Sequence, residues 1–208
     1  MSDITGAVGV AQTPEGLSAI RTPGCAAAIW DRAPLPEFQR WIDHIDPDAL
    51  PHTRMILAPD AVRDALSETA LICGTPNCPE CGMLVDDIAA LATIFADVMQ
   101  TPYIRLRLDV IRHNACRKFH MDAVTARLIC TYRGTGTQYG LSDGGHDPAQ
   151  IFTVPACAPI ILRGKDWPVT GSNLVHRSPP IEGSGETRLL LVIDPITDPG
   201  TQAETTLH

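Results

Sequence analysis

The stretch "YIRLRLDVI", residues 103–111, decides how the chain is read, because here the side-chain pattern changes from a helical period to a period of two. Polar and apolar residues alternate along it, as in a strand with one buried face. Strand-like runs follow at "ARLICTYR" (126–133), "FTVPACAPIILRG" (152–164), "NLVHRSP" (173–179) and "ETRLLLVID" (186–194), separated by glycine- and proline-rich turns. The segment "GTGTQYGLSDGGHDPAQ" (134–150) reads as a long connector. About six to eight short strands without intervening helices point to an antiparallel sandwich or jelly roll rather than a βαβ fold.

Upstream, the regular segments are helical. "LPEFQRWIDHI" (35–45) and "PDAVRDALSETAL" (59–71) follow proline-marked starts. In "MLVDDIAALATIFADVMQ" (83–100), Leu84, Ile88, Leu91, Phe95 and Val98 form one apolar stripe, with Thr101 and Pro102 ending the helix. The expectation is one domain over 1–208: a mainly helical part (1–100), a β core (101–198) and a flexible tail (199–208).

Composition narrows the function classes. Net charge is −8, which disfavours nucleic acid and anionic membranes as partners. No apolar run approaches the roughly 18 residues of a membrane helix, and "MSDITGAVGV" lacks the features of a signal peptide. A cytoplasmic location is expected, with a small-molecule or protein substrate. The 7 cysteines are then free thiols or ligands rather than disulfides, and Cys130 and Cys157, in apolar runs, read as core.

The residues that carry chemistry begin at "CRKFHMDAV" (116–124). If this run is a strand, His120 and Asp122 point to the same face. Such a pair alone is commonplace at a strand end. His176, in "NLVHRSP", adds a second imidazole; two histidines and one carboxylate from neighbouring strands make the facial triad of non-haem Fe(II) oxygenases, with positions left open. Arg188 lies in an apolar strand, where a guanidinium needs an anion. A carboxylate fits it, although Glu186 or Asp109 would also serve. Arg127 and Tyr132 differ in parity, so at most one faces the metal. Arg177 and Ser178 flank His176 as substrate contacts or surface residues, and Trp167 reads as packing. In "CGTPNCPEC" (73–81), Cys73, Cys78 and Cys81 are loop thiols, a zinc site with a distant ligand such as His52, Cys25 or Cys116, or a redox or cluster site.

"FHMDAVTARLICTYR" with "VHRSPPIEGSGETRLLLVID" resembles the HxD…H…R pattern of the Fe(II)/2-oxoglutarate-dependent dioxygenase superfamily. Closer still, "CRKFHMD", "CTYRGTGT" and "VHRSPPI" with "GETRLLLVIDP" are similar to the bacterial family known as domain of unknown function 1826. The resemblance implies an α+β fold with a double-stranded β-helix (jelly-roll, cupin-like) core and N-terminal helices packed on it. It implies Fe(II) held by His120, Asp122 and His176, and 2-oxoglutarate held by Arg188, with Tyr132 as a further donor. The reaction so implied is oxidation of a substrate C–H bond coupled to decarboxylation of the cosubstrate to succinate. Leu190 stands where the superfamily often has a small hydroxyl residue. Some members are associated with zinc-responsive gene neighbourhoods, which implies the rival reading of a non-catalytic metal-binding protein in zinc homeostasis. A metal-free, cupin-like binding module is the third.

Overall fold

The computed structural model describes residues 6–169 and 172–198, so the tail expected over 199–208 lies outside the described residues. Along the chain run β1 (Val8–Ala11), β2 (Ala27–Trp30), α1 (Pro36–His44), β3 (Thr53–Leu57), α2 (Val62–Ile72) and α3 (Pro79–Met99). There follow β4 (Tyr103–Ile111), β5 (Ala126–Arg133), β6 (Gln138–Leu141), β7 (Phe152–Thr153), β8 (Ile160–Arg163), β9 (Leu174–Arg177) and β10 (Arg188–Ile196). Proline sits in the first turn of α1 and α3, where its missing N–H costs nothing. Pro79 therefore starts α3 one turn before the apolar stripe suggests, and Gln100 in the left-handed conformation ends it ahead of Pro102. None of the described helices is long and apolar enough to cross a membrane.

Two sheets form, with strand orders β1-β2-β8-β5-β10-β4-β3 and β7-β6-β9. From β4 to β10 the chain passes back and forth between them, and every pairing in this part is antiparallel. That winding is the double-stranded β-helix, or jelly roll. Next to β9 the small sheet gains a single bridge, His120 to His176, where a full strand would complete the pattern.

Alternation gives the large sheet two different faces. Leu106, Leu108, Leu128, Tyr132, Leu189, Leu191 and Ile193 pack with Leu84, Ile88, Leu91 and Phe95 of α3 in the larger core. On the reverse face, Ile129, Leu190 and Val192 pack with Tyr139 and Leu174 of the small sheet. The jelly roll thus has one dry, helix-covered wall and one wall turned toward the second sheet.

The sequence reading needs four corrections. The first hundred residues contribute β1, β2 and β3 to both ends of the large sheet as well as helices. These strands are four or five residues long, and "VGVA" and "AAIW" show no alternation. The run 152–164 is split into β7 and β8, because Pro155 and Pro159 cannot donate to a ladder. The connector 134–150 contains β6. Finally, 116–124 is not a continuous strand: His120 makes the bridge and Asp122 follows in a loop.

Phe95 is fully buried between α3 and the large sheet. Phe95→Ala should destabilise the fold by about 3–5 kcal/mol, read from the midpoint shift in urea unfolding.

Candidate metal centre

Two backbone hydrogen bonds build the site. His120 N–H donates to the His176 carbonyl at 3.0 Å, and His176 N–H donates to the His120 carbonyl at 2.9 Å. This bridge places the imidazole centroids 4.6 Å apart. The chain then folds back over the end of β8: Lys165 N–H donates to the Asp122 carbonyl at 2.8 Å and Gly164 N–H to the Thr125 carbonyl at 2.9 Å. Glycine is required at 164, since a Cβ there would lie 1.9 Å from the Val124 carbonyl oxygen and 2.9 Å from that of Asp122.

The three side chains converge. One ligand atom from each of His120, Asp122 and His176 lies within 4.8 Å of the others. Asp122 Oδ2 is 3.1 Å from His176 Nε2, and Asp122 Oδ1 is 3.5 Å from His120 Nε2. Neighbouring ligands on one metal ion, bound at about 2.1 Å, would be about 3 Å apart. His120 Nδ1 lies 2.8 Å from the Lys118 carbonyl; as a donor to it, it leaves Nε2 with a free lone pair. Asp122 Oδ2 is buried and has no hydrogen-bond partner among the described residues, with His176 Nε2 3.1 Å away. A buried carboxylate between two imidazole nitrogens, with one oxygen lacking a donor in good geometry, suits a cation. Two imidazoles and a carboxylate on one side match non-haem Fe(II), and zinc accepts the same atoms.

Behind the ligands, Arg127 fixes the carboxylate. Its Nη1 donates to Asp122 Oδ1 at 2.5 Å, while Nε and Nη2 donate to both oxygens of Asp194 at 2.6 and 2.8 Å. Burial opposes ionisation of Asp122, but the two imidazoles and Arg127 outweigh it and hold the carboxyl well below the usual range. The hydrogen bond with Asp122 raises the His120 pKa against the effect of burial.

A cavity of about 330 Å³ opens in front of this site, lined among others by Arg107, Cys116, Arg177, Ser178, Leu190 and Val192. Arg188 shares the inward face of β10 with Leu190 and Val192, by parity, and is fully buried. Its Nε donates to the Thr135 carbonyl at 2.7 Å, Nη1 to Ser178 Oγ at 3.1 Å and Nη2 to Thr131 Oγ1 at 3.4 Å. Glu186, a partner weighed for it from the sequence, instead accepts from Thr135 N and Oγ1. Burial pulls the Arg188 pKa down to about 10, with Glu186 the opposing charge.

Tyr132 does not join the site. It falls on the opposite parity to Arg127, faces α1 and α3, and donates to Asp87 Oδ2 at 2.6 Å; Asp87 is also gripped by Arg32. The cysteine run does not assemble either: among the described residues, Cys73, Cys78 and Cys81 do not bring three ligand atoms together as the triad does. Cys73 Sγ lies 3.6 Å from His52 Nδ1, Cys81 is buried, and Cys25 donates to the Ala27 carbonyl. Cys130 and Cys157 are buried, and Trp167 packs against the larger core under Arg163. The sequence reading missed Arg107 and Asp194. Arg107 sits on the polar side of the alternating β4, which looks solvent-facing until a second sheet is laid across it, and Asp194 closes the apolar run of β10.

The family model described as "Protein of unknown function (DUF1826)" matches residues 11–194, and the chain belongs to that family. No curated protein matches it in sequence. Among solved structures, it is similar to dioxygenase for auxin oxidation 1 of Arabidopsis thaliana in complex with 2-oxoglutarate, at 11% identity and a TM-score of 0.46, covering 71% of this chain and 63% of that one. The chain therefore spans less than two thirds of the Arabidopsis protein. A prolyl-4-hydroxylase of Pseudomonas putida is similar at 14% identity and a TM-score of 0.36, covering 81% and 98%. A cupin-2 domain containing protein of Shewanella frigidimarina is similar at 16% identity and a TM-score of 0.29, covering 45% and 71%.

Because Gly164 lets the loop carrying Asp122 close, Gly164→Ala should lower metal affinity about 10- to 100-fold, the range seen when supporting groups around a metal are disturbed. Metal titration by calorimetry on folded protein checks this. Arg127→Lys keeps the charge but loses the fork that spans two carboxylates. A loss of similar size is expected in the same titration, and wild-type affinity would show that Asp122 is placed by other means.

Proposed function

We propose that this member of the DUF1826 family is a non-haem Fe(II) oxygenase that uses 2-oxoglutarate as cosubstrate. Arg188 is the observation that carries the cosubstrate. Of the five N–H groups of a guanidinium, three meet neutral oxygens, and among the described residues no carboxylate accepts from it. A fully buried, permanently charged side chain without an anion is costly. The two remaining N–H groups suit the distal carboxylate of a dicarboxylic acid lying in the cavity.

In this reading His120, Asp122 and His176 hold the metal on one side, leaving the cavity side open. Arg127 takes up Asp122 Oδ1, so Oδ2 is the atom offered to the ion. The apolar wall of Ile129, Leu190 and Val192 keeps water from the space between the triad and Arg188. Fe(II) with 2-oxoglutarate supplies O₂-dependent oxidation of a C–H bond, with succinate and CO₂ as coproducts. The protein's share is to position the partners and exclude solvent.

The rival reading, a zinc-holding protein of metal homeostasis, uses the same three ligands, which zinc accepts. It gives no role to a buried arginine without an anion, and Arg188 separates the two.

The test is calorimetric binding of Fe(II) and then 2-oxoglutarate without oxygen, followed by succinate formation in air. Wild type should bind both. His120→Ala should lose the metal, and Arg188→Ala should keep it while binding 2-oxoglutarate about 10- to 100-fold more weakly, the worth of one charged hydrogen-bonded contact. Tight zinc binding with no affinity for 2-oxoglutarate would overturn the oxygenase reading in favour of the rival.

A further inference from the structure

The metal cavity is basic although the chain carries a net charge of −8. Arg107, Arg127, Arg177 and three histidines line it, with Asp109 as the acidic residue among the lining side chains. Arg127 is consumed by Asp122 and Asp194. Arg177 is engaged by its Nε donation to Gln138 Oε1 and its stacking over Phe119 at 4.4 Å. Arg107 is different.

Arg107 stands on β4 opposite Val192, on the inward face of the large sheet. Its Nε is buried and has no hydrogen-bond partner among the described residues. The closest carboxylate, Asp194, is 3.9 Å from Nη2, and both its oxygens already accept from Arg127 at 2.6 and 2.8 Å. Arg107 thus shares Asp194 with Arg127 over a longer ion pair, and burial, then the Arg127 charge, pulls its pKa down against Asp194 and Asp109. Arg54 faces it from β3 with a further positive charge. A guanidinium at a cavity wall whose buried Nε has no hydrogen-bond partner among the described residues, and whose contact with a carboxylate is long and shared with Arg127, keeps donors for a further anion.

Resting on the oxygenase reading, we propose that the molecule oxidised at this centre is a small compound bearing an oxyanion group, a carboxylate or a phosphate ester, and that Arg107 receives that group. Two buried arginines then divide the labour: Arg188 at the start of β10 takes the cosubstrate, and Arg107 on the neighbouring strand β4 takes the substrate. The cavity of about 330 Å³ is at the small end of ligand pockets, a size that suits a metabolite-sized acid.

The experiment uses full-length protein loaded with Zn(II) and saturating 2-oxoglutarate, so that the triad and Arg188 are both engaged. Acetate and inorganic phosphate are then titrated in separate arms, which tell a carboxylate receptor from a phosphate receptor. Binding is followed by calorimetry and by the arginine ¹⁵Nε–H resonances. Wild type should bind at least one probe with a shift of the Arg107 Nε–H signal. Arg107→Gln should weaken that binding at least about tenfold, the worth of one charge-assisted hydrogen bond, and leave metal and 2-oxoglutarate affinities within about twofold; Arg107→Lys should recover part of it. If Arg107→Gln does not fold, the Nε–H shift in wild type decides. No probe binding, equal binding by Arg107→Gln, or a 2-oxoglutarate affinity that falls with Arg107 would each overturn the proposal. If wild type binds phosphate through Arg107 but no 2-oxoglutarate, the oxygenase reading fails and the anion site stands.

Discussion

The Arg127 guanidinium ties the candidate site to the fold. Its fork holds Asp194 on β10 and its remaining arm holds Asp122 in the loop after the histidine bridge. The backbone alone would leave that loop anchored by a few bonds to the end of β8. Arg127 adds a charged contact between the rigid sheet and the carboxylate, and such contacts are strong where water is scarce. The buried charges Asp194, Arg127 and Asp122 are tolerable only as a chain, because removing any member leaves its neighbour desolvated and unpaired.

The same sheet solves two problems with its two faces. On one, leucines and isoleucines of β4, β5 and β10 meet the apolar stripe of α3, and this dry layer supplies most of the packing. On the other, aliphatic residues in the centre are flanked by Arg188 at one end and by Arg107, Arg127 and Asp194 toward the other. Polar groups that would destabilise an ordinary core are kept where paired carboxylates or a ligand can meet them. The helices lend rigidity to the wall without entering the site, and Tyr132, held by Asp87, belongs to that side.

How far the sequence was legible follows from the range of each signal. The strands 103–111 and 126–133 were readable to the residue because alternation is local and both are long. The short strands β1, β2 and β3 were not, since four or five residues carry too little pattern and take their conformation from the neighbours they pair with. The His120, Asp122 and His176 set was found by motif, yet the reason given for it, a shared strand face, is not how the chain achieves it. A two-bond bridge and a loop tucked over Gly164 do so instead. Arg107 went unnoticed because an arginine in a polar-apolar alternation looks like solvent-facing surface.

By itself the sequence determined the long strands 103–111 and 126–133, the place of the main helix, and which residue types arrive in which order: two histidines, an aspartate and a late arginine. These depend on neighbours along the chain, so they survive without knowledge of the fold. Only the tertiary structure decided which polar face is interior, that Arg127 rather than Tyr132 stands beside the candidate metal ligands, and that the buried Nε of Arg107 has no hydrogen-bond partner among the described residues. Those outcomes rest on burial and on contacts between residues distant in sequence, such as Arg127 with Asp194 and His120 with His176. They exist only once the second sheet closes over the first.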